Sequence, residues 1–478
     1  MYYFKHKIWI ALAVVIIMLA GCKKWEDHIA VDNTQLKENL LDAIKANNNT
    51  SRFYELLKQT GYDSLLMQTK TYTVWAPDNN ALANIDAAVL NDAAKLRLFV
   101  GNHISNQSYL TSAALSPIRI KMLNGKNNTF YDKSFDEAAI TLADQYFNNG
   151  ILHIINKPVY ALPNLWEYIT TVQSDGQQKT AITDLNIEIF DSTTATQIGV
   201  DPNTGAPIYQ PGTGLVTGNN FNNRVYNTQR EDSLYTYFVL SESAYTAEKD
   251  KLLPYFATGT SDSTSDLANY HLIKDLLVRG VYTQDQLPDT LISKFGVKIP
   301  IEKSSIVSSY KVSNGIVHVM NSMNFQIQDK VPSFIIQGEN PRGFSHDRRS
   351  NIFYRIRTNP NTGASFNDIV AQNHSTALFN IMYSVNNVYS VKYKIYWVAV
   401  NDFSTATHQQ RLLMDLPTNT IFPYVTVPLA NYSEVYLGEY TYAQFRQSIN
   451  MYLVSANSTN NALNPLTLDY IRMEPVYY

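Results

Sequence analysis

The chain has almost no cysteine and little charge. Cys22 is the only cysteine among 478 residues, so no intramolecular disulfide bond can form. Charged residues make up 17% of the chain, the formal net charge is −3, and no block of Lys and Arg occurs beyond the N-terminus. Nucleic-acid binding depends on such a basic surface, because affinity comes from neutralising phosphates. Nucleic acid is therefore excluded as an expected partner.

Long apolar runs are also missing, apart from one short run near the start. Residues Ile8–Leu19 are apolar, follow Lys5 and Lys7, and lead into the sequence LAGC. About 20 apolar residues are needed to span a bilayer, so a shorter run behind a basic flank indicates an export signal. No second run approaches that length.

The sequence LAGC resembles the lipobox of bacterial lipoproteins. The resemblance implies a signal peptide over residues 1–21, acylation of Cys22 and a tether over residues 22–32; the alternative for Cys22 is a buried apolar residue or a loose thiol. The sequence KKWED after the lipobox resembles the surface-export signals of Bacteroidetes lipoproteins, although a solvated tether also explains it. The expected location is the outer membrane, lipid-anchored, at the cell surface.

Common catalytic and cofactor motifs are absent from the sequence as well. No G-x-S-x-G occurs, and the glycine-rich stretch Gly212–Gly218 misses the dinucleotide spacing by one residue. The DPNTG at Asp201 and the NPNTG at Asn359 do not continue as EF-hand loops, so they are interpreted as turns. We therefore predict no cofactor, no metal and no enzyme activity.

What the sequence does contain is an internal repeat. The segment NGILHII at 149–155 returns as NGIVHVM at 314–320, and TYTVWAPDNNAL at 71–82 is similar to LYTYFVLSESAY at 234–245. Landmarks in the same order at nearly constant spacing predict a duplicated domain. The matched framework positions are Gly150 with Gly315, His153 with His318, and His103 with His271.

The repeated text resembles the fasciclin domain, in YTVWAPDNNAL, a central NH or YH, and the closing NGILHIINKPV. The resemblance implies a compact α+β fold in which helices pack at one side of a wedge of strands, and framework histidines without a catalytic role. The first copy covers residues 33–162 and the second covers 163–328. The second copy departs from the family pattern at Val239–Ser241, which puts the start of its first helix in doubt. It also carries a Gly- and Pro-rich loop insertion at about 176–230.

The four framework histidines raise the question of a metal site. His153 and His318 each lie inside an apolar strand, with no second His, Cys or carboxylate at ligand spacing. A core histidine that hydrogen-bonds a neighbouring loop explains each copy by itself. We interpret these positions as structural.

Residues 332–478 change to strands and turns. VKYKIYWVAV alternates with a period of two, which places Tyr393, Ile395 and Trp397 on one face and Lys394 and Tyr396 on the other. The region predicts one all-β sandwich of jelly-roll type. Its last strand, LTLDYIRMEPV, resembles that of galactose-binding-like or carbohydrate-binding modules.

Two groups of residues in this last domain are candidates for ligand binding. Tyr396, Asn401 and Asp402 offer an aromatic ring and polar groups of the kind that bind sugars, although many tyrosines here must pack the core. GFSHDRRS at Gly343–Ser350 is either a patch for an anionic ligand or a solvated charged loop.

These observations favour a non-enzymatic adhesion or ligand-binding module, with an extracellular glycan or protein as its ligand. The alternative is an accessory subunit that docks to an outer-membrane transporter or a partner lipoprotein. A glycoside hydrolase would need a cleft with paired carboxylates, and the sequence offers no such pair.

Overall fold

A computed structural model describes residues 37–478, so the predicted signal peptide, Cys22 and the predicted tether lie outside the described residues. The chain divides into two compact units, one up to Pro163 and the other from Asn164 to Tyr478. Among the described helices, none has the length and apolar character needed to cross a membrane.

The first unit packs helices against one mixed sheet. Its helices are α1 (Leu40–Ala46), α2 (Ser51–Thr60), α3 (Tyr62–Leu66), α4 (Ala87–Leu90) and α5 (Ala93–Gly101). Its strands are β1 (Tyr72–Pro77), β2 (Ile104–Ser105), β3 (Ile118–Lys121), β4 (Asn127–Tyr131), β5 (Ser134–Phe135), β6 (Ala138–Phe147) and β7 (Gly150–Ile155). The sheet order is β2-β1-β7-β6-β5-β4-β3. Strands β1 and β7, here called the central strands, are parallel neighbours within it. Both central strands are buried along their whole length, as apolar runs without alternation require.

Local capping explains most helix ends in this unit, with one correction. Helix α2 ends at Gly61, which has φ +73°, a left-handed conformation that glycine adopts without strain. The segment APDNNALANI, residues 76–85, predicts a helix with Asp78 as its N-cap, but only a 3₁₀ turn forms, at Ala81–Asn84. The Asp78 carboxylate still accepts the Ala81 N–H at 2.7 Å, so the cap is present without the helix.

The second unit begins with a smaller version of the same arrangement. Its helices are α6 (Leu165–Glu167), α7 (Gln177–Thr183), α8 (Asn220–Arg224), α9 (Glu242–Leu252) and α10 (Ser261–Ile273). Its strands are β8 (Asn186–Phe190), β9 (Gln197–Val200), β10 (Pro207–Tyr209), β11 (Leu215–Asn219), β12 (Tyr235–Leu240), β13 (Leu277–Arg279), β14 (Thr290–Ile292), β15 (Lys298–Pro300), β16 (Ile306–Val312) and β17 (Gly315–Met320). Four of these form a sheet in the order β13-β12-β17-β16.

The centres of the two sheets have the same register. In the first, Tyr72 on β1 lies opposite Gly150 on the parallel strand β7. In the second, Tyr235 on β12 lies opposite Gly315 on the parallel strand β17. The degenerate motif of the second copy still starts a regular helix, because Ser241 caps α9 through the Ala244 N–H.

The loop insertion of the second copy is narrower and more regular than the sequence indicates. Helix α7 and helix α8, which fall within the predicted insertion, contribute Ile182 and Phe221 to the core. Between them, residues 186–219 form two antiparallel ribbons, β8 with β11 and β9 with β10. Glycine and proline in this stretch therefore mark tight turns between short strands.

The remaining residues form the predicted β-sandwich, and the predicted α+β class ending in an all-β domain is confirmed. A short helix, α11 (Ile327–Lys330), leads into it. Its strands are β18 (Phe334–Gln337), β19 (Gly343–Phe344), β20 (Ile352–Thr358), β21 (Ser365–Ala371), β22 (Asn380–Val388), β23 (Lys392–Val398), β24 (His408–Met414), β25 (Val425–Val427), β26 (Val435–Thr441), β27 (Arg446–Ser455), β28 (Leu466–Leu468) and β29 (Tyr470–Val476). They form three sheets, in the orders β18-β29-β23-β26, β19-β22-β27-β24-β25 and β20-β21-β28.

The sandwich and the second repeat share one continuous core. Tyr393, Ile395 and Trp397 of β23 are buried in it, as the period-two pattern predicts. At the junction, Ser390 accepts the Ala257 N–H at 2.8 Å, and the Phe256 ring packs edge-on against Tyr389. These contacts join the two domains into one compact unit.

Candidate ligand-binding cleft

The repeated Asn-Gly pair has the same role in both copies. The Asn149 side chain accepts the Leu40 N–H at 2.8 Å, and the Asn314 side chain accepts the Leu165 N–H at 2.7 Å. Each asparagine thereby holds the first residue of the first helix in its repeat. It ties that helix to the start of a central strand.

The glycine that follows is required by close backbone contact. A Cβ on Gly150 would lie 1.9 Å from the Tyr72 carbonyl oxygen, and one on Gly315 would lie 2.1 Å from the Tyr235 carbonyl oxygen. Real side-chain carbons do not approach an oxygen so closely. Both glycines therefore allow the parallel central strands to come together.

His153 and His318 also occupy equivalent positions. The Nε2–H of His153 donates to the Tyr109 carbonyl at 3.0 Å, and that of His318 donates to the Tyr282 carbonyl at 2.8 Å. Each ring stacks on the aromatic residue opposite it, Trp75 in one repeat and Phe238 in the other. Burial lowers the pKa of both imidazoles, so they are neutral at pH 7.

The remaining two framework histidines are not equivalent, which corrects the sequence alignment. The His103 carbonyl accepts the Trp75 N–H, and the matching bond in the second repeat joins Phe238 N–H to the Leu276 carbonyl. Leu276, not His271, is therefore the counterpart of His103. The sequence alignment fails because the connection from α10 to β13 differs in length from the connection from α5 to β2.

His103 closes the first repeat. Its Nδ1–H donates to the Phe99 carbonyl at 2.9 Å, and its Nε2 accepts the Val159 N–H at 3.1 Å. The imidazole is fully buried, and burial lowers its pKa to about 4.

His271 lies instead at the junction with the sandwich. Its ring is 4.1 Å from that of Phe256 and 6.2 Å from that of Phe445 on the sandwich side. Burial, with Lys274 and Lys330 nearby, lowers its pKa to about 2. Within the described residues no three His, Cys, Asp or Glu side chains are grouped as a metal site.

Of the three sugar-binding candidates, two are unsuited to direct contact. Asn401 is completely buried and donates to the Ala406 carbonyl, so no ligand reaches it. Burial would raise the pKa of Asp402, but hydrogen bonds from Arg355 and Arg357 outweigh it and lower the pKa. The carboxylate of Asp402 is therefore occupied by ion pairs with these two arginines.

Tyr396 lies on the outward face of its sheet, as the alternation predicts. Its ring is 5.3 Å from that of Tyr436, and the Arg472 guanidinium lies over it at 4.2 Å. Bidentate ion pairing with Glu434 holds that arginine in place, with bonds of 2.7 and 2.6 Å. One face of the Tyr396 ring is covered, which leaves Tyr436 as the more exposed aromatic ring of this sheet.

A cleft at another edge of the sandwich offers a better site. It has a volume of about 700 Å³ and is bounded by the loop that the sequence singles out as a charged patch. Three arginines line it, Arg342, Arg348 and Arg349, and Tyr354 lies at its wall with 58% of its surface exposed. The cleft thus combines cationic donors with an aromatic ring.

Neighbouring strands and loops hold these side chains in place. The Arg342 backbone N–H donates to the Met382 carbonyl at 2.7 Å, and its guanidinium donates to the Asn450 side chain at 2.6 Å. The Arg348 guanidinium donates to the His374 carbonyl at 3.2 Å. By contrast, the Arg349 side chain is 92% exposed, and Asp347 lies 3.6 Å from it. The cleft therefore has two cations anchored by hydrogen bonds and one exposed cation.

The cleft is also lined by carboxylates, those of Glu339 and Asp347, and two further acids lie near Glu339. Glu339 lines it, and its buried Oε2 has no hydrogen-bond donor among the described residues. Burial raises the pKa of Asp469 to about 7, with Asp368 and Glu339 adding to the rise. Asp368 is itself buried and accepts two bonds from Arg355, so only Glu339 of these three acids lines the cleft.

Sequence reasoning identified two arginines of the cleft, Arg348 and Arg349, as part of a charged loop. It missed Arg342, Tyr354 and Glu339, which also line the cleft. Tyr354 is one of many tyrosines at alternate strand positions, and Glu339 is a single acid after β18. The cleft joins segments whose pairing partners lie far along the chain, such as Gly343 with Met382. No spacing in the sequence indicates that closure.

The chain was compared with curated proteins, solved structures and family models. Among curated proteins none matches the chain. The solved structures that are similar include a FAS1 domain pair from the insect cell adhesion molecule fasciclin I, at 16% identity over 60% of this chain and 99% of that one, with a TM-score of 0.24. A family 6 carbohydrate-binding module is 13% identical over 30% of this chain and 94% of that one, with a TM-score of 0.21.

A β-1,3-glucan-binding family 6 module from Bacillus halodurans is 17% identical over 30% of this chain and 96% of that one, with a TM-score of 0.22. TM-scores this low carry no argument about the fold. The description of the fold rests on the strand register given above. The family model described as Fasciclin domain matches residues 48–161, within the first unit. The chain therefore contains a Fasciclin domain over those residues.

Proposed function

We propose that this chain is a non-enzymatic ligand-binding lipoprotein of the cell envelope, and that its sandwich cleft binds an anionic glycan. The observation that carries the proposal is the grouping of Arg342, Arg348 and Arg349 beside the exposed ring of Tyr354. Guanidinium groups pair with carboxylates and sulfates, and a tyrosine ring packs on the face of a sugar. A saccharide with acidic groups fits both.

The rest of the chain supports a role in adhesion. Acylated Cys22 would tether the protein to the outer membrane, and the fasciclin-like repeats would hold the sandwich away from the surface. Many tethered copies would make weak individual contacts effective, because a second contact on the same surface forms at a high effective concentration.

A glycan array tests the binding proposal. The chain from residue 23 onward is applied to acidic and neutral glycans, and we expect retention on acidic ones only. Arg348→Ala with Arg349→Ala should weaken binding about 10- to 100-fold, the range for losing charge-assisted bonds. Tyr354→Ala should weaken it about tenfold.

Tyr436→Ala is the matched control, because Tyr436 is an exposed sandwich tyrosine on a different sheet. Loss of binding in this control, with Tyr354→Ala unaffected, would move the site to the face that carries Tyr396. Release of shortened saccharides during incubation would contradict the non-enzymatic role. For the anchor, Cys22→Ala should shift the protein from the membrane fraction to the soluble fraction.

A further inference from the structure

The two ribbons of residues 186–219, here called the arm, expose an unusual amount of apolar surface. Six large apolar side chains on the arm are 41–60% exposed. They are Ile189, Phe190, Ile198, Val200, Ile208 and Leu215. Apolar patches of this kind on a folded protein mark contact surfaces.

The backbone of the arm is equally open. Each ribbon has only two strands, and no third strand pairs with either one among residues 37–478. A two-stranded ribbon leaves N–H and C=O groups on both outer edges, which another strand can pair with. The arm therefore presents both main-chain and apolar contacts.

Charge distinguishes between the occupants that could cover it. The arm contains Glu188, Asp191 and Asp201 and has no Lys, Arg or His. Turn hydrogen bonds lower the pKa of Asp191 and of Asp201, so both are ionised at neutral pH. A second copy of the arm would bring like charges together, and an anionic membrane surface would be repelled.

A glycan is also a poor fit, since the exposed side chains are mainly aliphatic. The two aromatic rings, Phe190 and Tyr209, pack edge-on against each other at 5.1 Å. This contact takes up part of the surface that either ring could offer to a sugar.

We infer that the arm docks to a protein partner that adds a β-strand with alternating apolar and basic side chains. This inference does not depend on the glycan site, which lies on the sandwich. The arm would act as a strand-addition surface, with the apolar residues supplying affinity and the three carboxylates selecting a basic partner.

Two synthetic peptides test the inference by fluorescence polarisation with the chain from residue 23 onward. One peptide alternates Val with Lys and the other alternates Val with Glu. We expect binding of the Val-Lys peptide alone, with affinity that falls as salt rises. Ile198→Ser with Val200→Ser should weaken binding at least about tenfold, because two exposed aliphatic contacts are lost.

Val307→Ser is the matched control, since Val307 on β16 is 66% exposed but lies outside the arm. Its affinity should equal that of the unmodified chain. Equal binding of both peptides, or equal losses in the control and the arm variant, would overturn the inference. Dimerisation in sedimentation velocity that disappears in the arm variant would also overturn it, in favour of a second copy. Arm-dependent binding to phosphatidylglycerol vesicles would overturn it in favour of a membrane.

Discussion

The two fasciclin-like repeats have the same central strands but differ in the contacts that hold the chain after the last strand. In the first, neutral groups hold the chain after β7, because Asn102 donates to the Val159 carbonyl and His103 accepts the Val159 N–H. In the second, Asp275 follows α10 and pairs with Lys330 at 2.8 Å, with both side chains buried. An ion pair thus takes the place of an amide and an imidazole.

The difference follows from what each repeat adjoins. Lys330 ends α11, the short helix before the sandwich, and it also donates to the His271 carbonyl. The ion pair therefore ties the last helix of the second repeat to the segment that enters the next domain. In the first repeat, which forms a compact unit by itself, the held segment is the chain at Val159 and both groups that hold it are uncharged. The two copies therefore keep the register of their central strands but differ in the contact that holds the chain after the last strand.

The largest expected effect comes from breaking the buried ion pair. Lys330→Met leaves the buried Asp275 carboxylate with the Ser293 hydroxyl as a donor but without its cation. The free energy of unfolding of the second unit should therefore fall by about 3–5 kcal/mol. This loss is measured by denaturant titration, in which hydrogen exchange of peptides from each unit shows which unit unfolds. Asp275→Asn in the same chain should recover most of the loss.

Lys58→Met is the control, since its pair with Glu55 is exposed and should contribute less than about 1 kcal/mol. Equal losses from Lys330→Met and Lys58→Met would show that the second repeat does not depend on its ion pair.

The next effect tests what the repeats share. Gly150→Ala and Gly315→Ala should each destabilise their own unit by about 3 kcal/mol, because the methyl group would overlap a carbonyl oxygen of the neighbouring strand. Gly259→Ala is the control, since the nearest atom to its added methyl is 3.9 Å away. Hydrogen exchange of β7 and β17 reports the loss. A harmless change at only one glycine would contradict the common register.

A smaller, pH-dependent effect comes from His103 in the first repeat. The pKa of His103 is lowered by burial from 6.5 to about 4, so its neutral form stabilises the fold at pH 7, and that contribution is lost as pH falls from about 6.5 to 4. The slope is at most about 1.4 kcal/mol per pH unit. His103→Gln should flatten it in unfolding titrations of the first unit. An unchanged slope would mean that another group titrates there.

The sandwich should show an opposite slope. Burial, with Asp368 and Glu339 nearby, raises the pKa of Asp469 from 3.8 to about 7, so the stability that its protonated form contributes is lost as pH rises through about 7. The slope is again at most about 1.4 kcal/mol per pH unit. Asp469→Asn should remove this fall between pH 4 and 7 in the second unit. A steeper fall in the variant would contradict the assignment.

Sequence reasoning was strongest for the centre of each sheet. The N-G-x-x-H motif predicted the equivalence of Gly150 with Gly315 and of His153 with His318. It did so because the glycine allows two parallel strands to approach closely and the histidine bonds a neighbouring loop carbonyl. The same reasoning misplaced His271, since a helix and a loop of different length separate it from the strand that follows. It also placed Asn401 and Asp402 at a ligand site, where the structure has a buried amide and a paired carboxylate.

The amino-acid sequence alone determined the duplication, the change to an all-β domain and the buried face of β23, because periodicity and short motifs record which side chains must leave water. Tertiary structure alone decided the closing contacts, the cleft and the open ribbons of residues 186–219. Those features depend on groups brought together from distant parts of the chain, and their desolvation and pairing have no counterpart in local spacing.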